Sequence, residues 1–258
     1  MDKELANGSH NWENRVSITP PGFFGTSANN IQSRENFMTE EERVFLLSAA
    51  KSIDSWDRTE THYNDDGVII YDASYWDNRV ASRPILDKID PQISIVIENM
   101  VNRFKLEVDE FFQVDAKPTS PAIVRWMAGY KQEPHADKQL QNGEPNDFPW
   151  YDLAGLFYLN DDYEGGELYF INQGVEFKPK PGAAYFFPGD VGYSHGVREI
   201  TSGIRYVIPF FWTILKHNGE KQPWVNNAHV EDLLRIHIVM KPIKRKRKCL
   251  WKMVWLIL

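Results

Sequence analysis

The sequence predicts a mostly β fold with flanking helices, because the two halves of the chain follow different patterns. From Pro121 onward, short apolar runs rich in β-branched and aromatic residues are separated by turn pairs such as Asn-Asp, Gly-Gly and Pro-Gly. This pattern is typical of a β-sandwich or barrel. The preceding half carries helical signals. With 258 residues and 42% hydrophobic content, the chain can bury one substantial core with appendages.

Two helices are predicted in the first half. The first covers about residues 39–55, where Thr39 and Glu42 form a capping box ahead of an apolar face. The second begins after Asp90, a favoured N-cap residue, with Pro91 at the first helical position. The segment between the two helices is interpreted as an aromatic-bearing connection.

We expect three parts along the chain. Residues 1–36 form an arm, residues 37–220 form the main domain, and residues 221–258 form a C-terminal helix and tail. The main domain divides into a helical part, 37–115, and a β core, 120–215. The tail combines a basic block with ten mostly apolar residues, too few to span a bilayer, so no stable membrane insertion is expected.

The charge of the chain indicates which partners to expect, and its cysteine content indicates the cellular compartment. The net charge is −7, although the last eighteen residues hold seven Lys or Arg and no acid. Because the rest of the chain is therefore strongly acidic, nucleic acid is not an expected partner. The single cysteine, Cys249, excludes an internal disulfide, and the polar N-terminus has no apolar secretory run. Cytoplasmic localisation is the expectation.

A candidate metal site begins at the stretch EPHADKQ. His135 and Asp137 are two positions apart, a spacing that places both side chains on one side of a strand. His195 follows some sixty residues later. Two His and one carboxylate make a facial triad that leaves positions on ferrous iron for a chelating co-substrate and dioxygen. Ten residues after His195, Arg205 offers a planar charged fork that suits the far carboxylate of a dicarboxylic acid.

These residues resemble the iron(II)- and 2-oxoglutarate-dependent dioxygenases, specifically the prolyl 4-hydroxylase-like branch. The resemblance covers roughly residues 120–215 and rests on four pieces in order. They are the Pro-His-x-Asp context of PHAD, the segment FYLNDDYEGGEL, the turn PKPGAAYFFPGD, and the ten-residue step from His195 to Arg205. A lone His-x-Asp is weak evidence, whereas all four in register are specific.

The resemblance implies both a fold and a set of roles. The implied fold is a double-stranded β-helix, or jelly roll, with the N-terminal helices packed on its outer sheet. The implied iron ligands are His135, Asp137 and His195. Arg205 would pair with the C5 carboxylate of 2-oxoglutarate, and Tyr158 would hydrogen-bond the same carboxylate.

The chain departs from the family pattern in two places. The basic residue is Arg205 where collagen-type members have Lys, and Trp126 replaces a tyrosine found about nine residues before the first ligand. Contacts at that edge of the site are therefore left open. Tyr158 and Trp212 fit a role in the site and an ordinary core role equally well.

The implied reaction converts 2-oxoglutarate and O₂ to succinate and CO₂ while hydroxylating an unactivated C–H bond, with ascorbate as an auxiliary reductant. The carboxylate of Asp137 favours hydroxylation, because related halogenases have Gly or Ala there. We expect a prolyl residue in a peptide or protein as the substrate. The alternatives are a small-molecule or free amino-acid hydroxylase of the same family, and a non-catalytic jelly-roll protein that binds a metal or ligand. Nucleic-acid demethylation is disfavoured, because Phe211 stands where that branch has a second Arg.

Two segments are candidates for covering the substrate. They are residues 71–78 and 137–152, and their aromatic side chains could clamp a peptide or a small molecule. These side chains are Tyr71, Tyr75, Trp76, Phe148 and Trp150.

Overall fold

A computed structural model describes residues 19–58, 62–63, 69–71 and 73–217. The predicted C-terminal helix and the basic tail lie outside these residues. The helices are α1 (Glu40–Lys51), α2 (Arg83–Ile89) and α3 (Pro91–Phe112). The strands are β1 (Gln32–Arg34), β2 (His62–Tyr63), β3 (Ile69–Tyr71), β4 (Val80–Ala81), β5 (Val114–Pro118), β6 (Ile123–Met127), β7 (Gln132–His135), β8 (Leu153–Tyr158), β9 (Tyr163–Gly165), β10 (Leu168–Phe170), β11 (Val175–Phe177), β12 (Ala184–Pro188), β13 (His195–Val197) and β14 (Ile200–His217).

Both predicted N-terminal helices are confirmed. The Thr39 hydroxyl accepts the Glu42 N–H at 3.2 Å, and the Glu42 carboxylate accepts the Thr39 N–H at 2.9 Å, which completes the capping box of α1. Asp90 caps α3 by accepting the Gln92 N–H. The short helix α2 was not predicted, because its seven residues are too few to establish a helical period.

Apart from β2 and β3, which pair with each other, the strands form two facing antiparallel sheets. The larger sheet has the order β1-β12-β8-β14-β6-β4, and β5 and β9 also pair with β14. The smaller sheet has the order β11-β10-β13-β7. Phe170 of the smaller sheet meets Phe187 of the larger one edge-on, with ring centroids 4.8 Å apart. The fold is a jelly roll with helices beside it, as the sequence predicted.

Helix α3 covers the outer face of the larger sheet. The ring of Phe104 lies between 5.4 and 6.0 Å from three rings of that sheet, those of Phe157, Phe186 and Trp212. Trp212 is fully buried in this layer, so of its two predicted roles the structure supports the core role. In the part of the chain that the structure describes, no helix is both long enough and apolar enough to cross a bilayer.

The segment predicted as an N-terminal arm is, where described, part of the domain. Strand β1 pairs with β12 at the edge of the larger sheet. Phe24 is 1% exposed and its ring packs against Phe112 at 5.0 Å. The boundary expected at residue 37 therefore falls inside packed structure. The sequence concealed this because the segment shows no clear helical or strand period.

Candidate active site

The three predicted metal ligands lie together at the end of the smaller sheet. His135, the last residue of β7, is the direct cross-strand partner of His195, the first residue of β13. Asp137 Oδ1 lies 3.7 Å from His135 Nε2 and 3.9 Å from His195 Nε2. One ligand atom from each residue lies within 4.8 Å of the other two. The arrangement offers one ion two imidazole nitrogens and one carboxylate oxygen.

Hydrogen bonds fix the tautomer of both imidazoles. His135 Nδ1 lies 3.1 Å from the Glu133 carbonyl oxygen, and His195 Nδ1 lies 3.0 Å from the Tyr193 carbonyl oxygen. Because a carbonyl can only accept, each Nδ1 carries the proton and each Nε2 keeps its lone pair for a metal. The Gln132 side-chain amide lies 3.1 Å from His135 Nε2.

Asp137 is held in place through its backbone. Its N–H donates to the Gly189 carbonyl at 2.9 Å, and its carbonyl accepts from Asn146 Nδ2 at 2.9 Å. A Cβ at position 189 would lie 2.2 Å from the Tyr151 carbonyl oxygen and 3.2 Å from Asp137 Cβ. Only glycine permits this close approach of two backbones, so Gly189 is required for the position of the carboxylate.

Burial controls the protonation of all three groups. It raises the pKa of Asp137 to about 8 and lowers the pKa of both His135 and His195. Without a metal, the uncharged form of each group is therefore favoured near neutral pH. A divalent cation would reverse this preference at Asp137, since it binds the carboxylate and not the acid.

The predicted Arg205 is buried in a group of aromatic side chains, here called the Arg205 pocket, that holds hydrogen-bond donors without partners. Arg205 is 1% exposed, and its guanidinium carbon lies 4.9 Å from the Trp126 ring centroid and 5.2 Å from that of Tyr158. Arg205 Nη1 donates to the Gly166 carbonyl at 3.2 Å, whereas Nε has no partner. The hydroxyls of Tyr158 and Tyr163 are also buried without a hydrogen-bond partner. No carboxylate in the described part of the chain pairs with Arg205, so the pocket suits an incoming carboxylate.

The family resemblance predicted a role for Tyr158 in this pocket, whereas no role was predicted for Tyr163. Gly166 is in close contact with both Tyr163 and Arg205. A Cβ on Gly166 would lie 3.0 Å from the Tyr163 ring and 3.4 Å from Arg205 Cδ. The available signal for Tyr163 was its place inside the segment FYLNDDYEGGEL. Trp126, noted as a departure, is the direct cross-strand partner of Arg205.

A cavity of about 460 Å³ adjoins His135, one of the three predicted metal ligands. It is lined by Tyr75, the segment 129–134 and His135, and the His135 side chain is 31% exposed. The Tyr75 hydroxyl donates to the Lys131 carbonyl across this cavity. A substrate bound here would lie beside His135 and against the rings of Tyr75 and Tyr130, which pack edge-on with centroids 6.3 Å apart.

The aromatic residues predicted to cover the substrate divide between two environments. Tyr75 lines the cavity, and Trp76 packs edge-on against Trp126 with centroids 5.9 Å apart. Trp150 is only 3% exposed, and Phe148 stacks on Tyr151 at 4.9 Å. The prediction that Trp150 clamps substrate is therefore wrong, because its side chain is buried in the protein. The side chain of Tyr71 lies outside the described residues.

Comparison with known proteins relates the part of the chain that carries this site to a family. Residues 122–213 match the family model described as 2OG-Fe(II) oxygenase superfamily. This part of the chain is therefore similar to the iron- and 2-oxoglutarate-dependent oxygenases, and the predicted resemblance is confirmed.

The relatives found by sequence are prolyl hydroxylases. The chain is 28% identical to prolyl 3-hydroxylase 1 of Gallus gallus in an alignment 152 positions long that covers 53% of this chain and 20% of the relative. It is 32% identical to human prolyl 3-hydroxylase 3 in an alignment 87 positions long that covers 32% of this chain and 12% of the relative. The chain thus spans a fifth or less of the length of these relatives.

Similar solved structures include further prolyl hydroxylases. The viral collagen prolyl hydroxylase of Paramecium Bursaria Chlorella virus-1 has a TM-score of 0.48 and 15% identity, covering 74% of this chain and 99% of that one. The Trichoplax adhaerens prolyl hydroxylase, solved with a hypoxia inducible factor peptide, has a TM-score of 0.48 and 16% identity, covering 72% of this chain and 84% of that one.

Proposed function

We propose that this protein is an Fe(II)- and 2-oxoglutarate-dependent dioxygenase that hydroxylates a prolyl residue in a peptide or protein. The observation that carries the oxygenase activity is the pairing of two unlike sites in one jelly roll. One offers two imidazoles and a carboxylate within 4.8 Å. The other holds the guanidinium of Arg205 buried without a carboxylate partner among the described residues.

The residues of one site would bind the iron, and those of the other would bind the co-substrate. His135, Asp137 and His195 would hold the iron, which supplies the activation of dioxygen and of the C–H bond. Arg205 would fix the C5 carboxylate of 2-oxoglutarate by a charge-assisted pair, with Tyr158 donating a further hydrogen bond. Burial of this pocket excludes water from the bound co-substrate and strengthens the ion pair.

The prolyl substrate is supported by the names of the relatives and by the cavity beside His135. Its tyrosine rings, Tyr75 and Tyr130, suit an extended proline-rich segment, whose polyproline II shape costs little entropy to bind. As part of the same proposal, the reaction takes place in the cytoplasm and is supported by ascorbate. The experiment below also determines which carbon of the proline ring is hydroxylated.

The test is product mass spectrometry on short proline-containing peptides and, in parallel, on free amino acids and other metabolites, each incubated with Fe(II), 2-oxoglutarate and O₂, with and without ascorbate. We expect a gain of about sixteen mass units on proline, and NMR of the product then gives the ring position. If only free amino acids or other metabolites gain this mass, the prolyl assignment is wrong and the small-molecule hydroxylase alternative is correct. If no compound is oxidised while metal binding persists, the non-catalytic alternative is correct.

A further inference from the structure

Residues 19–30, here called the N-terminal clamp, contact the two loops that lead to Asp137 and His195. One loop follows β7 and contains Asp137. The other precedes β13 and leads to His195. Both contacts are made by buried polar groups, which are costly to separate.

The first contact is a buried polar cluster beside Asp137. Lys138 Nζ donates to the Thr19 carbonyl at 2.9 Å, to Thr19 Oγ1 at 2.7 Å and to Asp152 Oδ1 at 2.6 Å. The Thr19 hydroxyl in turn donates to Asp152. All three residues are buried: Thr19 is 4% exposed, Lys138 is 3% exposed and Asp152 is 0% exposed. The Asp152 carbonyl accepts the Gly189 N–H, and the Gly189 carbonyl accepts the Asp137 N–H, so the cluster is connected to the ligand by two hydrogen bonds.

The second contact is centred on Tyr193. Its hydroxyl accepts from Asn30 Nδ2 at 2.6 Å and lies 3.1 Å from the Ser27 carbonyl, to which it donates. Tyr193 is fully buried. Its own carbonyl receives the Nδ1–H of His195 at 3.0 Å. The clamp therefore reaches His195 through one residue.

We propose that the N-terminal clamp positions the metal centre, and that Thr19 and the Tyr193 hydroxyl set metal affinity without touching the metal. The inference rests on the proposed function, because it takes the His-Asp-His cluster as the metal site. Orienting groups beyond the ligands commonly change metal affinity tenfold or more. The competing explanation is that the clamp only adds apolar packing through Phe24 and stabilises the fold.

The experiment is calorimetric titration of the metal-free full chain with Co(II), with the visible absorption of bound Co(II) as a report on coordination geometry. Thr19→Val removes the hydroxyl at nearly constant shape, and Thr19→Ser restores it. Tyr193→Phe tests the second contact independently. Phe24→Leu is the control, since it weakens packing of the same segment but leaves these polar contacts in place. Each variant is measured below its own unfolding temperature.

The clamp predicts about tenfold weaker Co(II) binding and a changed spectrum for Thr19→Val and Tyr193→Phe. Thr19→Ser and Phe24→Leu should bind Co(II) within about twofold of the wild-type protein. The proposed positioning role of the clamp would be wrong if Co(II) affinity were unchanged in both Thr19→Val and Tyr193→Phe. It would also be wrong if Phe24→Leu lost as much Co(II) affinity as these two variants. If Thr19→Val does not fold, Tyr193→Phe and its comparison with Phe24→Leu decide the question. No Co(II) binding by the wild-type protein would instead overturn the metal site and with it the proposed function.

Discussion

The metal centre and the Arg205 pocket lie in the same jelly roll but differ in how their polar groups are satisfied. At the metal centre, backbone carbonyls accept from both Nδ1 atoms, and the backbone of Asp137 is bonded on both sides. In the pocket, Arg205 Nε and two tyrosine hydroxyls are buried without partners. Asp137 Oδ2 is also buried without a partner, so both regions leave polar atoms for a ligand, but only at the metal centre are the imidazoles and the Asp137 backbone oriented by the protein's own hydrogen bonds.

This difference indicates how the binding of each ligand stabilises the protein. A buried polar group without a partner costs about 1–3 kcal/mol, so the Arg205 pocket destabilises the ligand-free protein. A carboxylate that pairs these donors recovers that cost on binding. At the metal centre, the main unfavourable free energy comes from burying the ligands, and this burial raises the pKa of Asp137 to about 8. Substitutions in the two regions should therefore have separable effects.

The largest expected separation comes from Arg205→Leu. It removes a charge-assisted pair worth about 1.5–3 kcal/mol, so we expect 2-oxoglutarate affinity to fall about ten- to a hundredfold while Co(II) affinity is retained. Calorimetry of both ligands measures this. Arg205→Lys should keep much of the affinity, and Arg198→Leu, at an exposed arginine paired with Glu176, should change neither. Unchanged 2-oxoglutarate affinity in Arg205→Leu would show that Arg205 does not bind it.

The second separation is in pH dependence. Because burial raises the pKa of Asp137 to about 8 and metal binds only the carboxylate, binding must release a proton below that pH. Co(II) affinity should therefore rise about tenfold per pH unit from pH 6.5 to 7.5 and level off above 8. Calorimetry in buffers of different ionisation enthalpy counts the released proton. A flat profile over this range would mean that Asp137 is already ionised without metal.

The smallest expected effect is that of Tyr158→Phe. It removes one neutral hydroxyl, worth about 0.5–1.5 kcal/mol as a hydrogen bond, so 2-oxoglutarate affinity should fall about two- to tenfold. Tyr163→Phe should behave similarly if its hydroxyl also turns to the co-substrate. Titration of 2-oxoglutarate into the Co(II)-loaded variants gives both values. A loss of Co(II) affinity in either variant would contradict the separation of the two regions.

Sequence alone selected residues that the structure brings together in both regions, because strand geometry is local. The i, i+2 spacing of His135 and Asp137 and the ten-residue step from His195 to Arg205 are visible in the chain itself. Capping residues such as Thr39 are also local signals, and they gave the start of α1 correctly. Short apolar runs between turn residues were sufficient to predict a jelly roll once the family resemblance was noticed.

The supporting contacts could not be predicted, because they join residues distant in sequence. Thr19 and Lys138 are separated by 119 positions, and no pattern in either segment indicates the other. The need for glycine at position 189 depends on the Tyr151 carbonyl in another loop. The burial of Trp150 likewise depends on tertiary packing, and a loop position rich in turn residues predicts the opposite.

The most direct test of the central claim is succinate formation from 2-oxoglutarate by the full chain with Fe(II) and O₂. The wild-type protein should form succinate only when Fe(II) is present. Asp137→Ala, which removes the only carboxylate of the His-Asp-His cluster, should form at least about a hundredfold less, and Asp147→Ala, an exposed residue of the same loop, should match the wild-type protein. Succinate formation that survives Asp137→Ala, or that is absent from the wild-type protein with Fe(II), would contradict the account.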